Sequence, residues 1–284
     1  MTYGQALQQS AHILSLNGIE DGHIEARVLL SRITKLSPAQ IYTYPERTLG
    51  QKQERNLQEL VERRLDHEPT AYIVNCREFY GIDFYIDSRV LIPRPETELL
   101  VDAALEFSKT RAYLTRPLLI ADIGTGCGAI AISLALNLPK SKIYATDASS
   151  SALEIARLNC EYHKVTEQIT LLHGNLLEPL SEPIDLLVAN LPYIKSSELV
   201  SLSPEITKFE PRMAIDGGDS GLDYIRQLLE QAEGRINNNS CLLLEIGRGQ
   251  EKEVVDLIRS CLNKVNFEFI PDFNGIKRVV KINL

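Results

Sequence analysis

The sequence predicts an α/β protein: a seven-stranded, mostly parallel sheet with a C-terminal antiparallel hairpin, preceded by a small N-terminal helical bundle. Residues 1–75 repeat apolar side chains at helical spacing with almost no strand-like alternation. From residue 118 onward, short apolar runs alternate with amphipathic helices, the pattern of a parallel sheet covered on both faces. The last two runs are separated by too few residues for a crossover helix, so they must pair as a hairpin. At about 150 residues per domain, 284 residues accommodate roughly two domains.

In the first part, Thr2 is placed to cap the first helix, Asn17-Gly18 to end it, and Ser37-Pro38 to open a third, with Pro69 after the last. Leu57, Leu60, Val61 and Leu65 form an apolar stripe beside Glu59, Glu62, Arg63 and Arg64. Between residues 78 and 91, Phe79, Tyr80-Gly81, Ile82, Phe84, Ile86 and Val90 read as a hairpin or extended connector, which places a linker over 76–92. Pro93-Arg94-Pro95 excludes a helix interior, whereas Glu96-Thr97-Glu98 followed by Leu99, Leu100, Val101 and Leu105 opens one with acids in its first turn. The second domain therefore runs over 93–284. Its strands are expected at 118–121, 143–145, 169–172, 184–189, 242–246, 267–270 and 279–282.

Composition removes several function classes. With 44% hydrophobic and 24% charged residues, the chain is neither disordered nor collagenous. No apolar stretch approaches the ~20 residues of a membrane crossing and no secretory signal pattern opens the chain, so a cytoplasmic location and no membrane partner are expected. A net charge of -8 argues against direct nucleic-acid binding through many phosphates. The five cysteines are irregularly spaced and the five histidines form no ligand pair, so neither a disulfide framework nor a metal site is expected. Nothing resembles a dimer seam, and a monomer is the expectation.

Two motifs carry chemistry. Asp122-Ile123-Gly124-Thr125-Gly126-Cys127-Gly128 lies between a predicted strand and a predicted helix, where glycines let the backbone turn tightly and approach a ligand. Gly124, Gly126 and Ala129 also satisfy the dinucleotide spacing G-x-G-x-x-G/A, which keeps a nicotinamide enzyme open at this point. Asp147, ending the next strand, is placed to accept from ribose hydroxyls under either reading. Cys127 reads as a small residue in a crowded loop, since no base is placed beside it.

The second motif, Asn190-Leu191-Pro192-Tyr193, ends the fourth strand of the sheet. An amide nitrogen is a poor nucleophile because its lone pair is delocalised, and two acceptors gripping its N–H bonds would hold and polarise it. Asn190 offers its side-chain carbonyl, and the carbonyl of Leu191 is directed by the following proline. Tyr193 is placed to stack on the flat amide.

These motifs, in this order, resemble those of class I S-adenosylmethionine-dependent methyltransferases that carry Asn-Pro-Pro-Tyr. Val90 through Glu98, Glu210-Pro211-Arg212, Gly217-Gly218-Asp219-Ser220-Gly221-Leu222, Leu244-Glu245-Ile246-Gly247 and Asp272-Phe273-Asn274-Gly275 with Arg278-Val279 more closely resemble the release-factor glutamine-N5 methyltransferases. The likeness spans residue 70 to the end, while the helical part matches by length and position. The resemblance implies a Rossmann-like sheet, S-adenosylmethionine as methyl donor, and the glutamine of the Gly-Gly-Gln loop of peptide chain release factors as substrate. It further implies that residues 1–75 help hold the factor. Carried over by position, Asp122, Gly124, Thr125, Gly126, Cys127 and Gly128 surround the methionine part of the cofactor, Asp147 binds its ribose, and Asn175 and Leu176 lie at the adenine. Asn190, which also borders the cofactor, together with Leu191, Pro192 and Tyr193 would hold the glutamine.

Two positions depart from the family. Leu191 stands where proline is usual and Asn175 where an acid is common. The first loses a locked φ but keeps the accepting carbonyl, so a looser but active pocket is expected. The second exchanges one acceptor for another. The rival readings are an adenine-N6 methyltransferase, disfavoured by the acidic charge; a dehydrogenase, for which the Asn190 motif has no use; and a non-catalytic module docking on a translation factor, favoured by Leu191 alone.

Overall fold

The computed structural model describes residues 1–111, 115–232, 235–262 and 265–284. They divide into two compact units, one of Met1–Cys76 with Ser203–Phe209, the other of Arg77–Leu202 with Glu210–Leu284.

The first unit contains helices α1 (Tyr3–Leu16), α2 (Gly22–Thr34), α3 (Pro38–Thr43), α4 (Gln51–Leu65) and α5 (Thr70–Val74). Its starts and stops follow the sequence signals. Thr2 and Gln5 form a reciprocal capping box, as do Ser37 and Gln40 before Pro38, satisfying amides that the helix itself leaves unpaired. Asn17 ends α1 and Gly18 follows at φ +82°. Pro69 does not close the helical run as expected; it precedes α5, whose five residues are too few for a 3.6-residue period to be visible. The core is built on Ala6, Leu14, Ala26, Leu29, Leu30 and Ile41.

Arg64 is the second departure. Although counted among the charged residues beside the apolar stripe, it sits three residues after Val61 and seven after Leu57, on the inward stripe, and is only 3% exposed. Its guanidinium ion-pairs with Glu25 of α2 and with Glu205, while Thr70 donates to Glu25 at 2.7 Å. Glu205 lies in helix α9 (Pro204–Phe209), and this pairing explains why a segment expected in the second domain joins the helical unit. Arg64→Ala should lower the unfolding free energy by roughly 3 kcal/mol, because it strands two carboxylates whose partner was a buried cation. Urea unfolding followed by helical circular dichroism measures this, and a loss under about 1 kcal/mol would mean that solvent already screens the pair.

The second unit opens with a hairpin, β1 (Arg77–Phe79) and β2 (Ile82–Phe84), turned at Tyr80-Gly81. It is docked rather than free: Tyr80 donates its hydroxyl to Asp102 at 2.8 Å, and the Tyr85 amide donates to Asn159 at 2.8 Å. The following elements are α6 (Glu98–Thr110), β3 (Leu119–Ile123), α7 (Ala129–Asn137), β4 (Lys142–Asp147), α8 (Ser150–His163), β5 (Ile169–His173) and β6 (Ile184–Ala189). After them come α10 (Asp223–Ala232), β7 (Ile236–Glu245), α11 (Glu251–Cys261), β8 (Asn266–Pro271) and β9 (Lys277–Asn283).

Strands β3 to β9 form one seven-stranded sheet in the order β5-β4-β3-β6-β7-β9-β8. The first five pair in parallel, and β9 runs antiparallel to both β7 and β8. This is the expected architecture, including the closing hairpin. β7 begins earlier than its apolar run, at Ile236, because an irregularity before Cys241 lets polar Asn237 and Ser240 extend the strand. Every residue of β6 is buried, and its one acid, Asp185, accepts from Arg116 at 2.6 and 2.7 Å and from the Leu119 amide at 3.0 Å. Helices α10 and α11 bury Ile225, Leu228, Val254 and Leu257 against Ile123, Leu187, Leu244 and Val280. Residues of alternate pleat, including Ile120, Leu186 and Leu243, are also fully buried, so the sheet is covered on both faces.

The order in which strands are added reverses between β3 and β6: β4 and β5 extend the sheet one way from β3, β6 and β7 the other. Such a reversal opens a crevice beyond the carboxyl ends of the strands. The register Ile123↔Ala189 places Gly124 beside Asn190 there. Among the described residues no helix is long and apolar enough to cross a membrane.

Candidate active site

The glycine loop leaves β3 with Gly124, Gly126 and Gly128 at φ of +73°, +56° and +85°, conformations an L side chain rarely adopts. Asp122, fully buried beneath the loop, accepts from the Thr125 hydroxyl at 2.7 Å and from the Ala131 amide in the first turn of α7 at 3.1 Å. Burial pushes its carboxyl up to about 7, against the pull of those two hydrogen bonds. Its other oxygen is buried without a hydrogen-bond partner among the described residues. Asp147, ending β4, accepts from the Gly126 amide at 2.8 Å and, through its other oxygen, from the Ser149 amide at 2.8 Å. Each oxygen keeps a lone pair for a further donor. Burial raises the Asp147 carboxyl, while those two amides and His173 oppose the rise.

These groups border a cavity of about 410 Å³, lined among others by Val90, Leu91, Gly124, Gly126, Asp147, Asn175, Leu176, Asn190, Leu191, Pro192, Met213 and Tyr224. That volume lies within the range of small-molecule and cofactor sites. A larger, shallower depression of about 1250 Å³ lies at the amino ends of β3, β4 and β5, away from both motifs. Of the residues expected at a cofactor, Gly124, Gly126, Asp147, Asn175, Leu176 and Asn190 line the smaller cavity. Asp122, Thr125, Cys127 and Gly128 lie behind it and shape the turn. Burial drives the Cys127 thiol up to about 12, so it is no nucleophile, and its backbone carbonyl accepts from Asn159 at 2.9 Å.

Asn190 emerges from β6 at the mouth of the cavity. Its side-chain nitrogen donates to the Thr97 hydroxyl at 3.0 Å, and Thr97 donates to Glu245 at 2.7 Å. Neither the Asn190 side-chain oxygen nor the Leu191 carbonyl accepts a hydrogen bond among the described residues, so both acceptors are available to a further donor. Leu191 is 4% exposed and joins the core beneath the sheet, with its Cδ2 only 3.2 Å from where a side chain on Gly124 would begin. Packing thus holds Leu191 where a proline would hold itself by its ring.

Tyr193 is not among the residues lining the cavity. Its hydroxyl donates to Glu245 at 3.3 Å, and burial together with the Glu245 charge raises it well above the usual phenol range. Its backbone oxygen accepts from Gln250 at 2.9 Å, and Gly217 lies directly behind it.

Sequence reading carried Thr97 and Glu245 only inside family motifs, with Pro93–Glu98 expected near the cofactor and no contact assigned to either side chain, and it missed Met213 and Tyr224. For Glu245 there was a signal: a carboxylate inside an otherwise apolar strand run demands a partner. Met213 and Tyr224 look like ordinary core residues and gave none.

Comparison with known proteins agrees with this geometry. Residues 5–74 match the family described as PrmC N-terminal domain, and residues 104–208 match Methyltransferase small domain. A release factor glutamine methyltransferase of Moorella thermoacetica is 38% identical over 280 residues, covering 98% of this chain and 97% of the relative. The chain belongs to the release factor glutamine methyltransferase family. The Geobacter sulfurreducens member is 35% identical, covering 98% of this chain and 95% of its own length. Among solved structures, a methyltransferase from Pyrococcus furiosus is similar with a TM-score of 0.51 at 18% identity, over 72% of this chain and 90% of that one. The hMettl16 catalytic domain is similar with a TM-score of 0.57 at 15% identity, over 75% and 80%. At such identities these two speak for the fold alone. Membership of this family favours glutamine methylation over adenine methylation and over a purely docking role.

Proposed function

We propose that this chain transfers a methyl group from S-adenosylmethionine to the side-chain amide nitrogen (N5) of the glutamine in the Gly-Gly-Gln motif of peptide chain release factors. The observation that carries this reading is the pairing of β3 with β6. It sets Asn190, Leu191 and Pro192 at the rim of the cavity bordered by the glycine loop and Asp147.

The residues present fit the donor. Bare backbone at Gly124 and Gly126 permits close approach of its methionine part, in a loop shaped by Asp122, Thr125, Cys127 and Gly128. Asp147 has lone pairs for ribose hydroxyls, and Asn175 with apolar Leu176 suits a purine. When bound, the donor supplies a methyl group on a positively charged sulfur, which is already a good leaving group. The protein's part is positioning. The Asn190 side-chain oxygen and the Leu191 carbonyl accept the two N–H bonds of the substrate amide, hold its nitrogen in line, and exclude water. Holding reactants so is worth up to about 7–11 kcal/mol in favourable cases. No base is needed beside the nitrogen, because its proton becomes acidic only as the new bond forms and leaves to solvent. Tyr193, which lies behind the cavity lining with its hydroxyl on Glu245, supports the Asn190–Pro192 segment from that side.

We assign residues 1–75 to holding the release factor, 76–92 to a hairpin connection, and 93–284 to methyl transfer. We place the enzyme in the cytoplasm as a monomer, and the net charge of -8 supports a protein substrate over nucleic acid. Mass spectrometry of the Gly-Gly-Gln peptide after incubation with S-adenosylmethionine tests the reaction: one added methyl on glutamine is expected, and an unmodified glutamine rejects it.

Asp147→Ala should weaken donor affinity roughly 10- to 100-fold, since a hydrogen bond to a charged acceptor is worth about 1.5–3 kcal/mol. Calorimetric titration of S-adenosylmethionine reads this directly. An unchanged dissociation constant removes Asp147 from the site.

A further inference from the structure

We propose that Thr97 and Glu245 are positioning residues that set which end of the Asn190 carboxamide faces the substrate, an inference that rests on the glutamine-methylation reading above. An asparagine side chain presents either a carbonyl oxygen or an NH₂ group in nearly the same volume. Only the oxygen can hold a substrate amide by its N–H. The choice must therefore be made by something behind Asn190.

Thr97 and Glu245 are 4% and 2% exposed, and lie in sequence far from Asn190 and from each other. The chain of contacts runs from Asn190 Nδ2 to Thr97 Oγ1 at 3.0 Å and from Thr97 Oγ1 to Glu245 Oε2 at 2.7 Å. Tyr193 donates to the other carboxylate oxygen at 3.3 Å. An ionised carboxylate only accepts, so the single O–H of Thr97 is committed to Glu245. What Thr97 turns toward Asn190 is then a lone pair, which takes the NH₂ end and no other. The Asn190 oxygen is left pointing away, where it accepts no hydrogen bond among the described residues. Glu245 thereby acts on the substrate site through Thr97, and on Tyr193 directly.

The groups facing Glu245 are Thr97 and Glu96 from the turn at Pro95–Thr97, Tyr193 from the segment after β6, and Arg278 from β9. Burial is the largest influence and lifts its carboxyl to about 7; Glu96 pushes the same way, and the hydrogen bonds of Thr97 and Tyr193 and the charge of Arg278 oppose them. Protonated Glu245 becomes a donor to Thr97. The threonine O–H is then free to turn toward Asn190, which stabilises the reversed amide and meets the substrate NH₂ with another NH₂. Turnover should consequently fall as pH drops through neutrality.

The test is kcat and KM on full-length release factor over about pH 6–9 for the wild type, Thr97→Val, Thr97→Ser and Glu245→Gln. Thr97→Val removes the hydroxyl while keeping the shape, and should lower kcat at least about tenfold with KM for S-adenosylmethionine within about twofold. Its acid limb should vanish. Thr97→Ser should restore most of the rate together with that limb, which a merely structural role for residue 97 does not predict. Thr97→Val with wild-type kcat and an unaltered acid limb overturns the inference and leaves glutamine methylation standing, since that variant still methylates. Glu245→Gln supplies an independent arm: loss of the limb supports the inference, and its retention overturns it even where Thr97→Val fails to fold.

Discussion

Asn190→Ala enzyme is expected to methylate release factor at least about a hundredfold more slowly than wild type, with a much smaller change in donor affinity. The substitution removes one of two acceptors at the rim, so a substrate N–H loses its partner at a cost of about 1–3 kcal/mol. It also frees the amide to rotate out of line, and losses in alignment multiply with the loss of the hydrogen bond. The carbonyl of Leu191 remains, which is why the effect is not total. Donor affinity should hold because Asp147 and the glycine loop are untouched. Single-turnover methylation with saturating donor separates the two quantities. A rate within about threefold of wild type would show that the grip on the amide lies elsewhere.

Gly217→Ala is expected to be nearly as damaging, although residue 217 touches no substrate. A β-carbon there would sit 2.7 Å from the Pro192 carbonyl oxygen, 2.9 Å from the Tyr193 α-carbon and 3.0 Å from the Gly221 carbonyl oxygen. All three are backbone atoms, so no side chain can swing aside. The Gly217 amide also donates to the Ile194 carbonyl at 2.7 Å, which ties this loop to the end of the motif. Relief must come from moving the Asn190–Tyr193 segment or the 217–221 loop. Crowding of this kind costs about 1–3 kcal/mol of stability, and a shift near 1 Å at a reacting group costs about a hundredfold in rate. We expect kcat to fall at least about tenfold while the protein still folds and binds donor. Thermal melting and calorimetry establish the latter two, and wild-type kcat in a folded variant would refute the backbone clash.

Much of the fold was legible in the letters because it rests on local rules. Thr2, Ser37 and Gly18 mark helix boundaries through hydrogen bonds and φ values that involve only near neighbours. The apolar run at Ile184–Ala189 reads as a doubly covered strand because both of its faces are buried. What stayed hidden was of two kinds. Helix α5 is too short to show a period, and Arg64 reads as surface by type although its position on the helix turns it inward. In the site, the glycine loop, Asp147 and the Asn190 motif could each be found by its own pattern, whereas Asn175 and Leu176 were implied only by the family resemblance. Met213 and Tyr224 could not be found either way, because only folding gives them a cavity to face.

The sequence by itself determined the layered architecture, the two motifs and the kind of chemistry they suit, since periodicity, capping and backbone freedom act over a few residues. Only the tertiary structure decided that β6 lies next to β3, so that Asn190 meets the glycine loop, and that a threonine before α6 joins a glutamate at the end of β7 behind it. Those are pairings between distant segments, made by burying shared apolar faces and satisfying the polar groups trapped between them. No local pattern encodes which distant partner a buried polar group will find.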